Sequence, residues 1–123
     1  MNIRGLVARD LGPAEVARRL GVSIKALKIY ERAGMLRPKR TGRGWRTYSD
    51  DDVDRLSRAL AFKAMGFPLS QIAGLLDANS EEIAAALAAQ EIYMLRRRAE
   101  VDAVLAELRK ARSRCSKTLR LVA

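Results

Sequence analysis

The sequence predicts a mainly α-helical fold, in which a winged helix-turn-helix domain over residues 1–78 is followed by a long helix over residues 80–120. Three observations indicate this arrangement. Residues 13–32 carry the pattern of two helices joined by a tight turn, and residues 37–48 combine basic and aromatic residues around a glycine turn. The stretch from Ser80 onward contains neither proline nor glycine, so that one helix can run through it.

The helix-turn-helix pattern depends on a few residues within 13–32. Pro13 suits a first helical position, where its missing N–H costs no hydrogen bond. Ala17 is small enough for a second helix to cross closely, Gly21 can take the left-handed conformation that ends a helix, and Ser23 can cap the next helix. The apolar faces between the two helices are expected from Val16, Leu20, Val22 and Leu27. The alternative for this stretch alone is an ordinary helical hairpin, without a helix that enters the DNA major groove.

Residues 37–48 predict a two-stranded β-hairpin with a basic tip, which we call the wing. Pro38 does not fit the interior of a helix or a central strand, and Thr41-Gly42-Arg43-Gly44 favours a turn. Aromatic and β-branched residues after the turn favour a strand. The alternative is a solvated basic loop, but the aromatic residues among the charges favour a wing.

Two helices are predicted after the wing. Ser49 and the aspartates that follow it favour a helix start, because a serine caps and acids stabilise the positive N-terminus. Gly66 is expected to end this helix, and Ser70 is expected to cap the next one. The apolar residues that should face the core are Val53, Leu56, Leu60, Ile72, Leu75 and Leu76.

The long helix carries apolar residues in heptads, interrupted by the polar residues Gln90 and Arg97. A narrow apolar stripe on a long helix is typical of a coiled coil, and one chain cannot bury it, so we expect a homodimer through this helix. The alternative is a helix packed back on its own domain. Cys115 is expected to be structural. The predicted dimerisation residues are Ile83, Leu87, Met94, Val101, Val104, Leu108, Ala111 and Cys115.

Charge and composition narrow the function further. The net charge is +10, and residues 1–48 hold 12 Lys and Arg against 3 Asp and Glu, which is a local +9. Such a concentration on a helix-turn-helix is expected of a phosphate-binding face. The chain has one cysteine and no histidine, which rules out an internal disulfide and histidine chemistry. We therefore expect no enzyme, no metal site and no cofactor, and a cytoplasmic protein without a membrane span at the bacterial nucleoid.

Four parts of the chain resemble the MerR family of bacterial transcription regulators, and the first, residues 14–17 together with residues 21–23, resembles the family's opening. Residues 27–36, Leu-Lys-Ile-Tyr-Glu-Arg-Ala-Gly-Met-Leu, are similar to the family signature Leu-Arg-Tyr-Tyr-Glu followed by Gly-Leu-Leu. Residues 44–49 resemble its wing pattern, and residues 65–72 resemble its Leu-Gly-Phe-Ser-Leu-x-x-Ile segment. Lys28 and Ile29 depart from the family pattern of Arg and an aromatic, so that affinity or site preference is expected to differ.

The resemblance implies a transcription regulator that acts as a homodimer with an antiparallel coiled coil. Such regulators grip a near-palindromic site on double-stranded promoter DNA and bend or untwist the spacer so that RNA polymerase can engage both elements. The alternative is an accessory protein that bends DNA without an effector, excisionase-like or nucleoid-associated. The effector is unknown: it binds in the dimer, or none exists, or the chain is a shortened form of a longer protein.

The same resemblance implies a set of DNA-binding residues. Base edges are expected to be contacted by Ser23, Lys25 and Ala26, and phosphates by Lys28, Tyr30, Arg43, Arg46 and Tyr48. Arg40 and Trp45 of the wing belong to the same surface. Arg18 and Arg19 either touch the backbone or are solvated.

Overall fold

The computed structural model describes residues 11–40 and 42–122, so the predictions for residues 1–10 and Thr41 lie outside the described residues. The described residues form five helices and a two-stranded sheet. These are α1 (Pro13–Leu20), α2 (Ile24–Arg32), β1 (Lys39–Arg40), β2 (Arg46–Thr47), α3 (Asp50–Ala64), α4 (Leu69–Leu76) and α5 (Ser80–Val122). The predicted fold class, a winged helix-turn-helix followed by one long helix, is confirmed.

The turn between α1 and α2 is formed as the sequence predicts. Gly21 has φ 68°, the left-handed conformation, and its N–H donates to the Ala17 carbonyl. The N–H of Val22 donates to the same carbonyl at 3.0 Å. The Ser23 hydroxyl accepts a hydrogen bond from the Ala26 N–H at 3.0 Å and caps α2. These contacts fix the direction in which α2 leaves the turn.

The wing is a short antiparallel hairpin, in which Lys39 pairs with Thr47 and Arg40 with Arg46. An isolated bridge between Leu11 and Tyr48 extends it, because each of these two residues donates its N–H to the other, at 2.7 and 2.8 Å. The segment before α1 therefore pairs with the base of the wing.

The start of α3 is confirmed, and the predicted cap of α4 is wrong. Ser49 and Asp52 exchange hydrogen bonds in a capping box, at 3.1 and 3.0 Å. In α4 the N-cap is Pro68, whose carbonyl accepts from the N–H groups of Gln71 and Ile72. Ser70 is already the second residue of that helix and lies exposed. Pro68 has an extended backbone conformation, and the helix begins at the next residue, Leu69.

The core of the domain lies where α1 to α4 meet the wing. Phe62 and Phe67 pack edge to face with ring centroids 5.7 Å apart. The fully buried side chains, with less than 2% exposure, are those of Val16, Leu27, Met35, Leu36, Tyr48, Leu56 and Ile72. These residues come from α1, α2, the segment after α2, the base of the wing, α3 and α4, so these elements share one core.

The contacts within the chain divide it into two units, Met1–Ile83 and Ala84–Ala123. Helix α5 is 43 residues long and begins with a capping box between Asn79 and Glu82. From 91 to 120 every residue of it is exposed. Within the described ranges, no helix is both long and apolar enough to cross a membrane.

Candidate nucleic-acid interface

Helix α2 and the wing form the two sides of one open groove. Its lining comes from the start of α1 at residues 12–14, from Ile24 and Lys28 of α2, and from residues 44–47 of the wing. The groove has a volume of about 600 Å³ and is open to solvent. Trp45 is 68% exposed at its wing side. The lining thus includes the Lys28 cation and the Trp45 indole ring, and such groups contact phosphate and sugar in protein–DNA complexes.

The exposed side of α2 carries the residues expected to meet base edges and phosphates. Lys25 and Lys28 are exposed, and Ala26 is half-buried. Ile29, which departs from the family pattern, is 37% exposed. The Ser23 hydroxyl accepts from the N–H of Ala26, so its acceptor role at the helix start is already used.

The wing adds three arginines to this surface. Arg40 donates from Nη1 to the Gly44 carbonyl at 3.0 Å and so stiffens the tip, while Arg43 is exposed there. Arg46 is only partly exposed, and its Nε donates to Glu31 Oε2 of α2 at 2.7 Å. One wing arginine thus joins the wing to α2.

Arg18 and Arg19 on α1 both pair with Glu15. Hydrogen bonds from Arg18 and Arg19 lower the pKa of the Glu15 carboxyl, and the same pairing raises the pKa of Arg18. The sequence left contact with the DNA backbone and solvation equally open for these two arginines. One carboxylate offsets only one of the two positive charges, and the side chains of Arg18 and Arg19 are 75% and 50% exposed, so both alternatives stay open.

Tyr30 and Tyr48 do not lie where the sequence-based expectation put them. Tyr30 is 3% exposed and Tyr48 is 1% exposed, so neither ring is on the surface. The Tyr30 hydroxyl accepts a hydrogen bond from Lys63 Nζ at 3.1 Å. Burial raises the pKa of the Tyr48 phenol, and the nearby Glu31 carboxylate raises it further. Both rings therefore belong to the core, and phosphate contact through their hydroxyls stays a prediction.

The spacing of residues in the sequence could have indicated that Tyr30 is buried. Tyr30 follows the buried Leu27 by three residues, which puts both on the same face of a helix. Three further residues that organise the site were not singled out from the sequence: Glu31, Arg55 and Lys63. Each acts through a partner 15 to 33 residues away. No local spacing indicates such a pair.

Helix α5 presents the predicted dimerisation residues to solvent in the single chain. Val101, Val104 and Leu108 are 52%, 59% and 59% exposed, and Leu87 and Met94 are 38% and 40% exposed. Ala111 and Cys115 are exposed, and Ile83 is half-buried. The apolar stripe is thus uncovered in one chain.

Two family profiles match the sequence over the elements just described. The profile of the MerR HTH family regulatory protein matches residues 13–79, and the MerR, DNA binding profile matches residues 53–115. The chain belongs to the MerR family of helix-turn-helix transcription regulators. The resemblance seen in the sequence is therefore confirmed.

Individual relatives extend the match along the chain. The HTH-type transcriptional activator mta of Bacillus subtilis is 36% identical over 92 residues, which are 74% of this chain and 36% of mta. An uncharacterized HTH-type transcriptional regulator of Synechocystis, slr0701, is 33% identical over 88% of this chain and 79% of its own length.

A solved structure supports the same alignment. The N-terminus of the Bacillus subtilis multidrug transporter activator, MtaN, superposes with a TM-score of 0.74 at 33% identity, over 81% of this chain and 95% of that one. This MerR-family chain spans about a third of mta and a quarter of TipA, a Streptomyces coelicolor activator that is 44% identical over 51% of this chain.

Proposed function

We propose that this MerR-family chain binds double-stranded promoter DNA as a homodimer in the bacterial nucleoid and regulates transcription there. The observation that supports this best is the groove between α2 and the wing, with Lys28 and Trp45 at its sides. The local charge of +9 over residues 1–48 supports strong attraction to phosphate. Lys25, Lys28 and Arg43 are the exposed cations that we assign to DNA contact, with Trp45 against the sugar–phosphate backbone.

The homodimer is supported by the uncovered stripe on α5. Side chains such as Val104 and Leu108, each 59% exposed, would gain apolar burial against a second α5. The polar residue Arg97 in the predicted seam donates from Nη1 to the Tyr93 hydroxyl of the same helix at 3.4 Å. An antiparallel pair of helices would carry one DNA-reading domain at each end.

Two heads held by a stiff coil favour distortion of the DNA. A site whose half-sites do not match the fixed spacing must bend or untwist before both heads can bind. Such a deformation costs on the order of 1–6 kcal/mol, which the phosphate contacts of two basic heads can offset. We therefore propose that the dimer acts on the promoter spacer and so controls the engagement of RNA polymerase.

The DNA-contact assignment is tested by the salt dependence of binding. A duplex selected from a random pool is titrated by fluorescence anisotropy at several salt concentrations, with wild type, Lys28→Gln and Lys110→Gln. Lys110 lies on α5 and provides the matched loss of one charge. For a dimer, Lys28→Gln should reduce the slope of log K against log salt by about 1.8, and Lys110→Gln should leave it unchanged. Equal slopes for the two variants would refute the assignment of Lys28.

The distortion is tested with the half-sites held constant and the uncontacted centre varied. Flexible pyrimidine–purine steps at the centre should bind more tightly than stiff A-tracts, and FRET between the DNA ends should report a bend. Equal affinities and a straight duplex would favour a repressor that acts by occlusion. Unchanged transcription in vitro despite bending would favour the accessory DNA-bending protein.

A further inference from the structure

We propose that Glu31 is a positioning residue for DNA binding, whose carboxylate holds Arg46 so that the wing stands at a fixed place beside α2. This inference rests on the proposed function, because it concerns how the same surface is organised. It also gives Arg46 a different role from the phosphate contact that the resemblance implied. Arg46 acts as a strut between the two DNA-reading elements.

The geometry joins an acid of α2 to a base of the wing. Glu31 lies in the last turn of α2, and Arg46 is the first residue of β2, 15 positions later. Nε of Arg46 donates to Oε2 of Glu31 at 2.7 Å, which is the short distance of a charge-assisted hydrogen bond. The side chains are 27% and 23% exposed, so that solvent screens this pair less than a surface pair.

The wing needs such an anchor because its own sheet is small. Each strand has two residues, and a two-stranded hairpin alone is marginally stable in water. The bridge between Leu11 and Tyr48 ties the end of β2 to the segment before α1. The Glu31–Arg46 pair ties the start of β2 to α2. With both ties the wing is held in one orientation before it meets DNA, so that less ordering entropy is lost on binding.

The negative charge of Glu31 lets an experiment distinguish this proposal from simple electrostatics. A carboxylate on a surface that faces phosphates repels them, and residues 1–48 hold 3 acids against 12 bases. Simple electrostatics therefore predicts tighter DNA binding when Glu31 is neutralised. The strut predicts weaker binding, because a released wing must be ordered again when DNA binds.

The experiment measures DNA affinity and wing mobility with the full chain. Affinities for the selected duplex are measured at several salt concentrations for Glu31→Gln, Arg46→Gln, the double variant, and Asp54→Asn as the matched loss of one acid. Glu31→Gln should weaken binding about fivefold without changing the salt slope, and the double variant should be no weaker than Arg46→Gln. Arg46→Lys should recover part of the loss, and Asp54→Asn should not weaken binding.

The fluorescence anisotropy of Trp45 tests the role of the Glu31–Arg46 pair in the absence of DNA. Trp45 is the one tryptophan of the chain and directly precedes Arg46. Its fluorescence anisotropy in the free protein should fall in Glu31→Gln and stay unchanged in Asp54→Asn, while circular dichroism confirms that both variants are folded. Unchanged Trp45 anisotropy, unchanged or tighter DNA binding by Glu31→Gln, or additive effects in the double variant would overturn the proposal. Failure of wild type to bind any DNA duplex would instead refute the proposed function, while the Trp45 measurement still tests the strut.

Discussion

Arg55 is expected to hold the chain after α2 against α3 and the end of α4, and its replacement by lysine tests this. Its Nε donates to the carbonyl of the fully buried Met35 at 2.7 Å, and its two Nη atoms donate to the Asp77 carboxylate at 2.8 and 3.1 Å. Lysine keeps the charge but loses the fork that makes these three bonds. A carbonyl left without its donor costs about 1–3 kcal/mol, and an ion pair to an exposed aspartate adds about 0–1 kcal/mol.

We therefore expect Arg55→Lys to lower the free energy of unfolding by about 2 kcal/mol. Asp77→Asn, which removes only the exposed partner, should lower it clearly less, because an ion pair to a solvent-exposed carboxylate contributes little. Urea denaturation at a fixed protomer concentration measures both, and with a slope of about 2 kcal/mol/M the midpoint for Arg55→Lys should fall by about 1 M. An equal midpoint shift for the two variants would refute the reasoning, because the Met35 bond would then contribute nothing.

Three further predictions concern pH, a buried tyrosine and the dimer. Hydrogen bonds from Arg55 lower the pKa of the Asp77 carboxyl below its usual range, so the melting temperatures of wild type and Asp77→Asn should differ at neutral pH and converge as pH falls through that lowered pKa. Tyr30→Phe should cost about 1 kcal/mol of stability through the lost bond from Lys63 but leave the DNA salt slope unchanged, in contrast to a phosphate contact. Leu108→Asp should give a monomer in sedimentation analysis, and a wild-type monomer would refute the coiled-coil proposal.

The sequence was sufficient to predict the features that depend on neighbouring residues. The left-handed Gly21, the Ser23 cap and the Ser49 capping box each involve residues within about one turn, so that residue type and spacing determine them. The hairpin and the uninterrupted α5 follow from where glycine and proline occur and where they are absent.

Features that depend on distant partners could not be predicted in this way. Arg46 has the same charge whether it contacts phosphate or Glu31, and only the folded chain brings Glu31 to 2.7 Å. Tyr48 was assigned to phosphate contact by the family resemblance, and only the folded chain shows that its ring is buried. The cap of α4 was assigned to Ser70 by residue preference, and Pro68 in the extended conformation starts that helix earlier.

Labels on the single cysteine near the end of α5 allow the distance between the two chains' Cys115 residues to be measured in the dimer. Cys115 is exposed in the single chain and lies at the last position of the predicted dimerisation stripe, so its thiol can be given one spin label per chain before the dimer forms. The apolar stripe runs from Ile83 to Cys115, which is about 48 Å of helix at 1.5 Å per residue. If two chains align their stripes in opposite directions, the two labels stand about 48 Å apart, whereas aligned chains bring them within about 10 Å. One distance from electron–electron double resonance thus distinguishes an antiparallel coil from a parallel one.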